Sequence, residues 1–397
     1  MRSKNPTKNI AKLFYKYGAI SLLLVFATLQ FFLILRHKSP YLSDSYFYKH
    51  IFYEMKGDSF DTARQKIISQ VDFQKADDIT KNFFIDETSY KNSLSFFTKR
   101  PYYPFIARLV DLFAHSEYFA FIIPVFLGYF FSVILAYQLF KISLTPFFSA
   151  FAVALLVSFY PFLDWSTYFL TDTIGFAFWL GQLFLIYRYV SDYSKNALVY
   201  YSVVFFIALL NREQNLLFVP LLLFLWIFSK ISEEAKTRVK RLKAMILLSI
   251  MMSAAYLLVL ILLKQPNFYN TLVYNHTDFG LHPSHFTFKE TIFFLFDSVR
   301  NAHILFFAES LKHHWWFLFV IMSTVGMLKN LISKNMSLIS NLMLSSGFAS
   351  YLFIFFHPVL SYRYFFPVAV TIIYFSSRFI LDFFSQHDSF TETVNSA

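Results

Sequence analysis

The sequence predicts an all-α polytopic membrane protein of about ten transmembrane helices, on three observations. Of its 397 residues, 57% are hydrophobic. Only 15% are charged, against roughly 25% in an ordinary soluble domain. The apolar residues are gathered in runs near the ~20 residues a bilayer requires, and Lys and Arg concentrate in the short connections between them. Aromatics reach 22%, with 56 Phe and 26 Tyr, which suits lipid-facing and interfacial positions and says nothing about chemistry. The net charge of +11 lies mostly in those connections, so it reads as topology rather than nucleic-acid affinity. Cysteine is absent, which excludes disulfides, thiolate nucleophiles and cysteine metal sites and leaves the redox compartment unread.

The first run, Tyr17 to Leu35, follows Arg2, Lys4, Lys8, Lys12 and Lys16. It is too long for a signal-peptide core and runs into Arg36-His37-Lys38 without a small-residue cleavage pattern, so it is expected to remain as an anchor. Further runs lie near 117–140, 144–163, 166–190, 197–210, 215–229, 243–263, 313–331, 336–356 and 364–384. The pair at 197–210 and 215–229 is short, open to a tilted or a re-entrant reading. Basic residues at the amino terminus, Lys141, Arg188 to Lys195, Lys236 to Lys243, Lys329 to Lys334 and Arg378 fall on one face. That face, with both termini, is expected to be cytoplasmic.

The whole chain, 1–397, reads as one integral-membrane domain with two long exoplasmic segments. Residues 36–116 mix acids, bases and periodic Phe, which fits amphipathic surface helices better than disorder. Residues 264–312 are aromatic and His-rich, then amphipathic to Glu309, a composition suited to covering a cavity. No internal repeat of the inverted-transporter kind is visible.

The first candidate is Asp44, in PYLSDSYFYKHIFYE directly after the first run. A carboxylate at the lipid–water boundary stays ionised and reaches a lipid-borne substrate, so Asp44 is a candidate catalytic base. As a helix this stretch places Asp44, Tyr48, Ile51 and Met55 on one face along the membrane surface. The competing reading makes Ser43 or Asp44 a helix cap. In Lys99-Arg100-Pro101-Tyr102-Tyr103-Pro104 the prolines set the start of the next helix. Arg100 there offers a guanidinium to phosphate or carboxylate, or snorkels from a structural turn.

Asp172 lies inside a span and must face protein or water, either at a substrate or in a polar pair with Arg212. Asp164 reads as a cap. The pair Arg212-Glu213 is pressed between two apolar runs, where charges cost about 2.5–3.5 kcal/mol each on insertion scales, so it reads as a functional site or a structural ion pair. Arg363-Tyr364 opens the last span, to bind a phosphate or to anchor the helix. His276, His282 and His285 are a weak metal set interrupted by Pro283. His313, His314 and His357 read as interfacial belt residues, and Asn275-His276-Thr277 matches a glycosylation sequon. No Gly-rich phosphate loop, GxSxG elbow or HExxH motif occurs.

The order of these motifs resembles the GT-C superfamily, integral-membrane glycosyltransferases that use polyprenyl-phosphate sugars, such as the aminoarabinose transferase and protein mannosyltransferase groups. The shared pattern is an Asp after the first span, R-P-x-Y-P before the second, T-D at an acid-bearing span, an R-E-Q turn, and R-Y-x-x-P at the last span. The resemblance implies that Asp44 is the first-loop acid serving as base or orienting acceptor or metal. It also implies that Arg100, Arg212 and Arg363, with neighbours Tyr103, Glu213 and Tyr364, hold the lipid phosphate or shape its cavity. Asp172 sits where many members have Glu. The chain departs in having Asp44-Ser45 in place of two adjacent acids, and one carboxylate is a thin ligand set for a divalent cation. No cofactor is therefore expected outright, a divalent cation being the open case.

The expected function is transfer of a sugar from a polyprenyl-phosphate donor to a glycan, lipid or protein acceptor at the exoplasmic face. The expected location is a bacterial plasma membrane. Two alternatives remain open. A flippase for a lipid-linked saccharide would move substrate without covalent transfer, and a surface-polysaccharide polymerase or ligase would differ in product length.

Overall fold

The computed structural model describes residues 17–74, 78–231, 239–266, 287–312, 314–332, 336–355 and 362–395. Among these every regular element is helical. The first anchor is α1 (Ala19–His37), followed by five short helices, α2 (Ser43–Met55), α3 (Phe60–Ile68), α4 (Asp78–Ile85), α5 (Glu87–Thr98) and α6 (Tyr102–Ala114). Then come α7 (Glu117–Phe140), α8 (Pro146–Ser158), α9 (Tyr160–Trp165), α10 (Asp172–Asp192), α11 (Lys195–Asn211), α12 (Phe218–Ile231) and α13 (Val239–Leu262). The chain closes with α14 (Phe288–Lys312), α15 (His314–Ile332), α16 (Leu338–Tyr351) and α17 (Phe366–Asn395).

All ten expected apolar runs contain helix, but among the described residues seven helices are long and apolar enough to cross a bilayer. The other three, α8, α11 and α16, have 13, 17 and 14 residues. The shortfall has local causes. The run 144–163 breaks at Phe159, which is extended (ψ 105°), because Pro161 has no N–H to return to the preceding turn. The run 197–229 breaks at Arg212, extended at φ −165° and ψ 130°, and restarts through a 3₁₀ turn, Glu213–Leu217. Such irregular backbone at membrane depth is tolerated where protein or a cavity meets its polar groups.

The centre of the bundle holds α7, α10 and α17, each with over half of its most apolar window buried, while α1, α13 and α15 leave most of theirs open. Exposed apolar surface on the outer helices is the complement of a lipid solvent. Close approach at the centre depends on one bare position. A Cβ on Gly128 of α7 would lie 3.0 Å from the Ile174 Cα of α10, a small-residue contact of the kind that lets membrane helices meet backbone to backbone.

The expectation of helices in 36–116 is met, but α2 does not lie with the Asp44 face against lipid. Tyr48 and Ile51 on that face are buried and only Met55 opens to the outside. The reason is aromatic packing from both sides. Phe47 stacks on Phe84 at 5.5 Å and on Phe97 at 4.9 Å, and α2 packs on α3 and α6. Of the second long segment, 288–312 is α14. His276, His282, His285, the sequon at 275–277 and His357 lie outside the described residues.

Candidate active site

Four breaks in helix regularity meet at one end of the bundle, and each delivers a charged side chain. The first turn of α2 delivers Asp44. Its N-cap, Leu42, has no capping side chain, and the Leu42 N–H is instead satisfied by Ser45 Oγ at 3.0 Å. Asp44 is thereby free of the capping role, and its Oδ2 accepts from Arg363 Nη1 at 2.9 Å. Its other oxygen, Oδ1, has no hydrogen-bond partner among the described residues, and the side chain is 31% exposed.

Asp172 opens α10 behind Thr171, whose carbonyl accepts from Asn211 Nδ2 at 3.1 Å. Its carboxylate is ion-paired with Arg212 and stands 3.9 Å from Arg363 Nε. The Asp172 and Arg212 side chains are 3% and 6% exposed, so this pair is withdrawn from water. Gly175 makes room for it, because a Cβ there would meet Asn211 Nδ2 at 3.1 Å and Arg212 Cδ at 3.6 Å. A buried pair of this kind gives little net stability, yet removing one partner costs about 3–5 kcal/mol.

Arg363 sits on a 3₁₀ turn, Tyr362–Tyr364, just ahead of α17. Gln214 holds that turn, donating to the Tyr364 carbonyl at 2.9 Å. The guanidinium donates to Tyr364 Oη at 2.7 Å and lies 5.0 Å from the Trp165 ring centroid. Burial opposes its charge, and Tyr364, Asp44 and Asp172 outweigh burial to raise its pKa, so Arg363 stays cationic. Arg212 lies 4.9 Å from the same Tyr364 ring.

Next to this group, Glu213 accepts from Arg100 Nε at 2.9 Å and pairs with Lys99 Nζ at 2.7 Å. Arg100 Nη1 also reaches Tyr48 Oη at 3.5 Å, and that hydroxyl lies 3.2 Å from Thr171 Oγ1. Tyr48 therefore joins the two charged groups. Counted together, Lys99, Arg100, Arg212 and Arg363 face three carboxylates, Asp44, Asp172 and Glu213. One positive charge remains uncompensated.

A small recess of about 10 Å³, room for about one water, lined by Asp172, Arg212, Arg363, Gln214, Trp179 and Phe366 among others, opens at this point. Phe366 is shared with a second, apolar recess, also of about 10 Å³, bounded by Phe159, Trp316, Phe365 and Ile372. In it Trp316 stacks on Phe159 at 4.0 Å.

Of the residues expected at a site, Asp44, Arg100, Asp172, Arg212, Glu213, Arg363 and Tyr364 are thus brought together. Tyr103 is not. It is fully buried, its hydroxyl donates to the Phe121 carbonyl at 3.1 Å, and its ring backs Tyr48 at 5.5 Å. Asp164 pairs with Lys38 at 2.8 Å and ties α9 to the end of α1. Sequence reasoning passed over Tyr48, Thr171, Gln214 and Trp165. Tyr48 had a signal, its i+4 position on the Asp44 face. Thr171 and Gln214 lay inside the T-D and R-E-Q motifs without being assigned a role, and Trp165 is recognisable only from the partner it meets. No group of three or more His, Cys, Asp or Glu that could hold a metal occurs among the described residues. The three site acids already face cations, so these residues do not fit a divalent ion.

Residues 98–256, about two-fifths of the chain, match the family described as dolichyl-phosphate-mannose-protein mannosyltransferase. No curated protein and no solved structure matches the chain. The matched segment carries Arg100, Asp172, Arg212 and Glu213, four of the seven residues that converge on the site. Over that segment, and with its multiple apolar helices, the chain is similar to this family of integral-membrane glycosyltransferases of the GT-C type.

Proposed function

We propose that the chain transfers a sugar from a polyprenyl-phosphate-linked donor to an acceptor hydroxyl at the exoplasmic face, with Asp44 as general base. The observation that carries this reading is the reach of Arg363 from the head of α17 to Asp44 at 2.9 Å while it lines the recess with Arg212. Two guanidinium groups on one recess, with a carboxylate held on one of them, are the parts that the reaction needs. Arg212 and Arg363 take the donor phosphate at the mouth of the polar recess, and the side chains must part before the adjoining apolar lining can take the first prenyl units. The excess positive charge of the cluster favours an anion there. Arg100 and Lys99 hold Glu213 and support this wall from behind. Tyr103 serves packing rather than substrate.

In the reaction the acceptor oxygen forms a bond to the anomeric carbon as the bond from that carbon to the phosphate oxygen breaks. The electron pair leaves with polyprenyl phosphate, whose added charge the guanidinium groups stabilise, and the acceptor proton passes to Asp44 Oδ1. A single displacement inverts the anomeric centre. In this reading, which the bias of the basic connections supports, this end of the bundle faces outside and both termini face the cytoplasm of a bacterium.

The test is transfer by the protein in a bilayer, with donor and acceptor varied separately. Arg212→Ala and Arg363→Ala raise the KM for donor at least about tenfold more than that for acceptor, one lost charge-assisted contact each. Equal losses on both substrates, or retention of the anomeric configuration, contradict the assignment. Movement of donor across the bilayer without product would instead favour a flippase, and a long product would favour a polymerase.

A further inference from the structure

The site cations are all engaged before any donor arrives, and the engagements are unequal. Arg212 and Asp172 are 6% and 3% exposed. Arg363 and Asp44 are 18% and 31% exposed. The first pair is locked between α10 and α11. The second joins a short 3₁₀ turn to the first turn of α2, and the Asp44 side chain can rotate toward solvent without unpacking a helix. Arg363 is also the cation common to both carboxylates, its Nη1 on Asp44 Oδ2 and its Nε 3.9 Å from Asp172 without a hydrogen bond.

We infer that Asp44 is held by Arg363 in the free enzyme and is released by the donor, whose phosphate exchanges with the carboxylate on the guanidinium. This rests on the function proposed above and adds its order of events. A phosphate at the mouth of the recess between Arg212 and Arg363 either takes Nη1 from Asp44 or settles beside that carboxylate and repels it. Both outcomes disfavour the more exposed Asp44–Arg363 pair before the more buried Asp172–Arg212 pair. The donor binds first, and the base is presented to the acceptor hydroxyl only when a phosphate is in place. Departure of polyprenyl phosphate restores the pair.

The inference carries a sign that a purely catalytic or metal-holding Asp44 does not. If Asp44 competes with phosphate for Arg363, neutralising it tightens phosphate binding. The experiment measures equilibrium binding of a short-chain polyprenyl phosphate to the full chain in lipid nanodiscs, with the uncharged polyprenol as control. Asp44→Asn is expected to bind the phosphate about two- to fivefold more tightly than the wild type, the range of a partly exposed ion pair lost as a competitor. It leaves polyprenol binding unchanged. Arg363→Gln binds the phosphate more weakly, and adding Asp44→Asn to it gives no further tightening, so the coupling disappears in the double variant. Asp44→Ala is read in the same way should the amide fail to insert.

Unchanged or weaker phosphate binding by Asp44→Asn and Asp44→Ala overturns the exchange, as does tightening that persists without Arg363. Those results leave Asp44 standing as base if transfer is lost. Transfer retained by Asp44→Asn instead removes the base assignment itself, so the two failures are separate.

Discussion

Replacing Asp172 with Asn is the sharpest probe of how the site is held. The side chain keeps its volume and loses its charge, while Arg212 remains as a cation 6% exposed. Its only carboxylate partner among the described residues is gone, and Arg363 stands close by. Breaking one side of a buried ion pair costs about 3–5 kcal/mol, most of it the penalty on the stranded partner. Neutralising both sides is much cheaper for the same reason. Asp172→Asn should therefore lower the unfolding temperature of the detergent-solubilised protein by several degrees. The double variant Asp172→Asn with Arg212→Gln should recover more than half of that loss. Donor binding should not recover, because the guanidinium assigned to the phosphate is missing. Tryptophan fluorescence against temperature reads the first quantity and polyprenyl phosphate binding the second. A double variant no more stable than Asp172→Asn, or a single variant within about 1 kcal/mol of the wild type, would refute the stranded-charge reasoning.

Other perturbations separate packing from chemistry. Gly128→Ala drives a Cβ to 3.0 Å from the Ile174 backbone, and overpacking of this kind costs about 1–3 kcal/mol. Because α10 must shift two residues from Asp172, donor use falls with stability, whereas Gly181→Ala, with only Leu135 Cδ1 at 3.8 Å, is neutral in both assays. Tyr48→Phe leaves Thr171 Oγ1 without its buried partner, for a loss of about 1–2 kcal/mol in thermal unfolding. His50 is fully buried, meets Tyr90 Oη at 2.8 Å and Glu54 Oε1 at 3.4 Å, and burial pushes its pKa down to about 4. Folding keeps it neutral while the unfolded chain protonates near pH 6.5. Its contribution is thus complete above that pH and lost as pH falls toward 4, by about 1 kcal/mol at pH 5 once the nearby Glu54 carboxylate is allowed for. His50→Gln flattens this part of the stability profile.

The helices and the site were legible in the sequence to different degrees, for physical reasons. Lipid demands apolar runs, so the positions of the ten helices could be read, but run length overstated their continuity. Pro161, inside the expected run 144–163, accounts for one break. Arg212 marked another only as a charge where none was needed, and its extended backbone is what turns that charge toward Asp172. Asp44 was recognisable as an acid at a boundary. Its partner, 319 residues away, was not recognisable as a partner, because nothing local to Arg363 names the carboxylate it meets. Tyr103 shows the converse. A motif position shared with Arg100 carried it into the expected site, while its hydroxyl is used by a backbone carbonyl of α7.

The most direct measurement is single-turnover transfer from a polyprenyl-phosphate sugar by Asp44→Asn, in protein verified to insert and unfold like the wild type. A positioned base contributes about 10²- to 10⁴-fold. A rate loss in that range, with the phosphate still bound, is the predicted result, and transfer within a few-fold of wild type would contradict the role given to Asp44.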